Sequence, residues 1–149
     1  MRALLQRVSF ASVINSDGER REIGYGLMIL LGIEISDTSE DVRFLSSKIL
    51  KLRIFDDEKG IMNLPVTDVS GEILVVSQFT LHADTKKGNR PSYIRAARPE
   101  HAIPLYEEFI ETVRSTGLIV KSGWFGAHMQ VELNNDGPVT IMIDSRMTL

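Results

Sequence analysis

The apolar positions fall into runs of two kinds. Residues 3–14 are apolar and rich in β-branched side chains, and they end at Asn15-Ser16-Asp17-Gly18. Asp-Gly between two such runs predicts a hairpin. The next run covers residues 25–35, and its near-continuous Leu27-Met28-Ile29-Leu30-Leu31 predicts a strand buried on both faces. The period then changes. Thr38 followed three residues on by Asp41 resembles a capping box, and Val42, Leu45, Ile49 and Leu52 form one stripe of a helix reaching about Arg53. Ser70-Gly71 opens a third strand, Ile73-Leu74-Val75-Val76, which runs directly into Ser77-Gln78-Phe79-Thr80. Residues 82–98 are polar, basic and contain Pro and Gly, and read as a loop. A second helix spans about residues 99–116, with Leu105, Phe109 and Val113 on one face, Pro104 near its start and Gly117 as C-cap. Three further strands are expected at 118–121, 128–133 and 139–143, with Asp136-Gly137-Pro138 separating the last two.

The order strands, helix, strand, helix, strands predicts an α/β fold: layered β-sheets with two helices on the outer face. The 149 residues fit a single domain spanning 1–149, with no internal repeat or linker. At 43% hydrophobic and 25% charged residues the composition is that of an ordinary globular protein. The absence of cysteine excludes disulfides, zinc-thiolate sites and a cysteine nucleophile. The N-terminal residues do not read as a signal peptide, and the most apolar stretch, 27–33, is too short to span a bilayer. A cytoplasmic protein with no membrane partner is expected. A net charge of -3, from 17 basic and 20 acidic residues, does not suit wrapping a long nucleic acid, and DNA is not an expected partner. It does allow a local basic patch, for which Lys86, Lys87, Arg90, Arg95 and Arg98 crowd into one segment.

Two segments carry candidate chemistry. Ser77-Gln78-Phe79-Thr80 places three polar side chains at the carboxyl end of a buried strand, a common location for a site. Hydroxyls that merely bond the turn backbone are an equally good reading. Asn134-Asn135-Asp136-Gly137-Pro138-Val139-Thr140 reads first as a hairpin turn. However, a Gly-Pro peptide is readily cis, which would aim two successive carbonyls at one side as acceptors for an ammonium group. His82, His101 and His128 have no partners at metal-ligand spacing, so surface or locally bonded roles are expected and no metal site. Nothing resembles the Gly-x-Ser-x-Gly nucleophile motif. Gly123-Trp124-Phe125-Gly126 suits either core packing or stacking on a nucleobase.

Together, Ser77-Gln78-Phe79-Thr80-Leu81 and Asn135-Asp136-Gly137-Pro138-Val139-Thr140 resemble the two signature motifs of the D-aminoacyl-tRNA deacylases. Met1-Arg2-Ala3, Gln6-Arg7-Val8-Ser9, Lys48-Ile49-Leu50 to Arg53-Ile54-Phe55, Met62-Asn63-Leu64 and Gly71-Glu72-Ile73-Leu74-Val75-Val76 extend the resemblance along the whole chain. His82 departs from it, standing where tyrosine is expected. The resemblance implies a cofactor-free hydrolase of the ester between a D-amino acid and the 3′ end of tRNA. It further implies a homodimer in which Gly137 and Pro138 of one subunit hold the substrate's α-amino group in the site of the other. Ser77, Gln78, Phe79 and Thr80 would line the opposite wall, with backbone N–H groups around Gln78 and Phe79 as the oxyanion hole. Arg7 would steady the Gly-Pro loop, Phe125 and Met129 would hold the terminal adenine, and Lys86, Lys87 and Arg90 would meet the RNA. The runner-up is a covalent mechanism with Thr80 or Ser77 as nucleophile and His82 as the nearest base in sequence. A third reading is a non-catalytic module that binds RNA ends.

Overall fold

The computed structural model of the chain describes residues 1–146. Its long first strand, β1 (Arg2–Asn15), turns at Asn15-Ser16-Asp17-Gly18 into β2 (Arg20–Ile23), which pairs back on it. The Asp-Gly hairpin is therefore present, but its second arm is a short polar strand that the hydrophobic pattern did not reveal. β3 (Gly26–Gly32) continues along the same edge of β1, also antiparallel. Then come α1 (Ser39–Lys51), the small hairpin of β4 (Phe55–Asp56) and β5 (Met62–Leu64), and β6 (Glu72–Ser77). A short 3₁₀ turn (Phe79–His82), α2 (Pro99–Arg114), β7 (Val120–Ser122) and β8 (Met129–Asp144) complete the order. The β4–β5 hairpin was also invisible in the sequence.

The main sheet runs β2-β1-β3-β6-β7, with β8 on the other edge of β1. β3, β6 and β7 are parallel neighbours, and a parallel pair needs a crossover; α1 and α2 supply the two crossovers. The sheet curls until its far strands nearly meet. Arg21 on β2 donates to the Ser122 carbonyl on β7 at 2.7 Å, and Lys121 Nζ donates to the Glu22 carbonyl at 2.7 Å. Inside the curl sits a small core of Val8, Ala11, Val13, Ile23, Met28, Leu74 and Val76. The larger core lies between the outer face of the sheet and both helices, around Leu5, Leu27, Ile29, Leu45, Ile73, Val75 and Phe109. With cores on both sides, β3 and β6 read as unbroken apolar runs.

α1 begins as its sequence indicates. The Glu40 N–H donates to Thr38 Oγ1 at 3.2 Å, and the Thr38 N–H donates to Asp41 Oδ2 at 2.8 Å. Both helices stop two residues short of expectation, at Lys51 and Arg114. The last two predicted strands are not separated by a hairpin turn. Residues before and after Gly137-Pro138 pair with the same strand, in the same direction: Thr140 opposes Gln6 and Asn135 opposes Val8. The chain bulges out of one continuous strand at 136–139 instead. No helix among the described residues is long and apolar enough to cross a membrane.

Close approach fixes Gly26. A Cβ there would lie 1.8 Å from the Glu72 carbonyl oxygen on the neighbouring parallel strand, against backbone that cannot swing away. We expect Gly26→Ala to destabilise the protein by about 3 kcal/mol or more, lowering Tm by roughly 6–12 °C. A thermal melt within 2 °C or so of wild type would contradict this packing.

Candidate active site

β6 ends at Ser77, and the chain turns at once. The Gln78 N–H donates to the Leu31 carbonyl at 2.8 Å, so it is occupied and cannot serve an oxyanion hole as the sequence suggested. The N–H groups of Phe79 and Thr80, at the start of the 3₁₀ turn, have no partner among the described residues. Gln78 Nε2 donates to Thr80 Oγ1, and the Phe79 ring is exposed, edge-on to Tyr93 at 5.0 Å.

Beside this turn opens a cavity of about 620 Å³. Val76, Ser77, Gln78 and Phe79 form one wall. Phe125, Gly126, Ala127, His128 and Met129 form the opposite wall, and Tyr93, Ala97, Arg98 and Pro99 close a third side. The second wall is braced from behind. Met129 Sδ accepts the Trp124 N–H at 3.3 Å, and the Arg21 guanidinium stacks 4.1 Å from the Trp124 ring centre. Phe125 also packs edge-on against Tyr106 at 5.6 Å. The Tyr106 hydroxyl donates to the Val75 carbonyl at 3.1 Å, and burial pushes its pKa up to about 12, so the phenol stays neutral.

The candidate residues thus divide into three groups. Ser77, Gln78, Phe79, Phe125 and Met129 meet in one cavity, and Thr80 adjoins it through Gln78. Lys86, Lys87 and Arg90 stand on the exposed loop closed by the Asp84–Ser92 bridge and do not line it, while Arg95 is paired to Glu34 at 2.6 Å. Gly137 and Pro138 are exposed and also lie outside the cavity of their own chain. The peptide joining them is cis. Of the basic patch only Arg98 lines the cavity; His128, expected in a surface or locally bonded role, and Tyr93, which the pattern missed, reach it from a turn and a loop with no periodicity to betray them.

Arg7 anchors the Gly-Pro bulge. Its guanidinium is nearly buried, and its Nε donates to the Asp136 carbonyl at 3.0 Å. Nη1 donates to the Ile54 carbonyl at 2.8 Å and pairs with Asp56 Oδ1 at 3.2 Å. Gly137 has φ +139°, and a Cβ there would meet Val139 at 2.8 Å and Arg7 Nη2 at 3.3 Å. Only glycine fits that position without strain.

The sequence pattern described as D-Tyr-tRNA(Tyr) deacylase matches residues 4–144. The chain belongs to this family. A D-aminoacyl-tRNA deacylase of Flavobacterium johnsoniae is 55% identical over 147 residues, covering 98% of each chain. The solved structure named c-Myc DNA Unwinding Element Binding Protein is 45% identical and superposes with a TM-score of 0.92 over 99% of this chain and 100% of that one. A probable eukaryotic D-amino acid tRNA deacylase, 21% identical, shares the fold with a TM-score of 0.82 over 95% and 97% of the two chains. Both deacylase motifs therefore sit where the structure makes a cavity wall and a clamped bulge. Among the described residues no three His, Asp or Glu side chains gather as a metal site would require.

His82 corrects the expectation of a surface or locally bonded residue. It is 2% exposed, and neither ring nitrogen has a hydrogen-bond partner among the described residues. Burial pushes its pKa below the ordinary 6.5; the Gly32 carbonyl opposes, the Met1 ammonium and Arg2 push it further down, and Glu34 pulls it up. The fold therefore holds the neutral ring. That preference leaves stability intact above pH 6.5 and withdraws it as the pH falls below. Glu34 titrates lower: burial raises its pKa, but the bond and charge of Arg95, with His82 and the Met1 ammonium, together outweigh this and hold it below 4.5, so the two windows separate. Between pH 7 and 5 we expect Tm to fall in the wild type and to fall distinctly less in His82→Phe. Parallel melting curves for the two proteins would contradict the buried neutral imidazole.

Proposed function

We propose that this protein hydrolyses the ester of D-aminoacyl-tRNA, acts to some degree on glycyl-tRNA and spares L-aminoacyl-tRNA, as a chiral proofreading enzyme of the cytoplasm. One observation carries the reading: a single cavity joins the Ser77-Gln78-Phe79 wall to the Phe125–Met129 wall, the two stretches that the family resemblance assigns to the ester and to the terminal adenine. The substrate is already activated by its ammonium group and a vicinal hydroxyl. Catalysis then needs a placed water and a stabilised oxyanion more than a strong nucleophile. The unpartnered N–H groups of Phe79 and Thr80 are the donors for that oxyanion. The 2′-hydroxyl of the substrate orients the water.

The covalent alternative lacks support. Among the described residues no hydrogen bond joins Ser77 or Thr80 to a histidine; Thr80 Oγ1 is engaged by Gln78, and His82 is sealed in the interior. A nucleophilic hydroxyl needs a base within reach.

Gly137 and Pro138 complete the site from the partner subunit of a homodimer. Two features support this. The bulge is exposed and held rigidly by Arg7, yet it is absent from the cavity of its own chain. β8, which carries it, is a 16-residue edge strand whose outer side pairs with nothing among the described residues, and long bare edges are normally covered. In the completed site the Gly137 and Pro138 carbonyls hold the α-amine and the oxyanion donors hold the ester carbonyl. An L-side chain is then driven into backbone, while a D-side chain points away. Such a clash discriminates better than the roughly 1–3 kcal/mol available from one methylene in an apolar pocket. Glycine, with hydrogen on both sides, passes the filter.

The assay compares release rates from one tRNA charged with D-Tyr, L-Tyr or glycine. Fast release of D-Tyr, slower release of glycine and no enzymatic release of L-Tyr are expected; equal D and L rates would sink the assignment. Thr80→Ala should retain deacylation within about tenfold of wild type, whereas truncating an acting nucleophile costs several orders of magnitude. A folded but inactive Thr80→Ala would favour the covalent route.

A further inference from the structure

A second concavity lies far along the chain from the catalytic motifs, on the exposed side of α1. Arg43, Lys48, Lys51 and Arg53 surround an open groove of about 650 Å³, with Phe44 and Leu52 as its apolar lining. All four cations are exposed, and none takes part in an ion pair among the described residues. Other exposed cations, Lys86, Lys87 and Arg90 among them, also have no ion pair among the described residues, but here four such charges line one concavity. Arg20, Arg95, Arg114 and Arg146 are also on the surface, and each has a carboxylate partner. In a chain of net charge -3, four uncompensated positive charges around one groove make a local field suited to a polyanion.

The ordinary explanation covers only part of the cluster. Lys48 and Lys51 stand in the last turn of α1, where cations suit the negative carbonyl end of a helix. Arg43 is too far from that end to contribute, because the effect fades within the last turn. Arg53 lies beyond the C-cap and is held outward by its bond to the Asn63 carbonyl at 2.7 Å.

The groove is also joined to the candidate site by a short, rigid path. The residue after Arg53 is Ile54, whose carbonyl accepts from Arg7 Nη1, and the same guanidinium holds the Asp136 carbonyl beside Gly137-Pro138. The groove and the bulge therefore share one anchor. We propose that this groove binds phosphates of the tRNA acceptor arm. The inference rests on the functional reading above: if the bulge of one subunit enters the partner's cavity, the groove beside it flanks that cavity and meets the duplex leading away from the 3′ end. Phosphate contacts of this kind position the RNA without reading its sequence.

The test uses the intact protein and the double variant Lys48→Glu/Lys51→Glu. Both side chains are exposed, and an unchanged Tm is checked first. Kinetics are measured on D-Tyr-tRNA over a range of salt concentrations and on the short ester D-Tyr-adenosine. We expect KM for the tRNA to rise about tenfold with kcat unchanged, and the salt dependence to flatten by about two log units per log unit of salt, one for each lost phosphate contact. The short ester should be hydrolysed as by wild type, and Lys48→Arg/Lys51→Arg should restore the KM. Unchanged KM and salt slope on the tRNA, or equal losses on both substrates, would overturn the proposal. If the wild type does not hydrolyse D-Tyr-tRNA, it is the functional reading that fails. Filter binding of uncharged tRNA still reads the groove in that case, and equal affinity of wild type and the Glu variant refutes it. Competition by duplex DNA as strong as by uncharged tRNA would refute the assignment to RNA.

Discussion

The guanidinium of Arg7 ties together three stretches of chain: β1, the β4–β5 hairpin and the bulge in β8. It rises from the middle of β1, takes the Ile54 carbonyl and the Asp56 carboxylate from the β4–β5 hairpin, and takes the Asp136 carbonyl from the bulge in β8; the Asp136 carboxylate stands 3.4 Å from Nε. A buried charge left without partners costs several kcal/mol, so this arrangement is strongly interdependent. The two carboxylates are about half exposed, and much of their Coulombic attraction is screened. The two carbonyls fix the geometry. Together with the Val139 N–H bond to Asn135 Oδ1 at 3.0 Å, they hold the Gly137-Pro138 peptide in place on a bulge that has left the β-ladder.

The rest of the architecture serves the same end. Parallel strands deliver their carboxyl ends to one side of a sheet, and here β6 delivers Ser77–Thr80 there while the turn after β7 delivers Phe125 and Met129. The side-chain bridges Arg21–Ser122 and Lys121–Glu22 pull the sheet nearly shut and keep the β7 turn from drifting away from the β6 turn. Both helices pack on the opposite face, away from the inner core. The site is thus built at the rim of a stiff curled sheet, and the bulge that would complete it is carried on a bare edge strand, available to another copy of the chain.

Much of this was legible in the sequence where the signal was local or periodic. The stripe Val42, Leu45, Ile49 and the Thr38–Asp41 box gave α1, and the unbroken run at 73–76 gave β6. The two motifs located the cavity wall and the bulge. What escaped was non-local. Arg20-Arg21-Glu22-Ile23 is too polar and too short to read as a strand, and only its pairing to β1 makes it one. Asn-Asp-Gly-Pro is as good a hairpin signal as any; that both flanks pair with β1 in one direction is a fact of register, not of local sequence. His82 looked like a surface residue because imidazole is polar, yet it fills space against Gly32 beneath the 3₁₀ turn. Tyr93, Arg98 and His128 join the cavity only because separate loops converge on it.

The central claim, that each site is shared between two subunits, has a direct test by complementation. Arg7→Ala should disable the bulge, and Phe79→Arg should block the cavity wall, so each variant alone should be inactive on D-Tyr-tRNA. Unfolded together and refolded in equal amounts, half of the dimers are mixed, and each mixed dimer holds one intact cavity facing one intact bulge. Recovery of about a quarter of the wild-type activity is the predicted result. No recovery from well-folded mixed dimers would contradict the shared site.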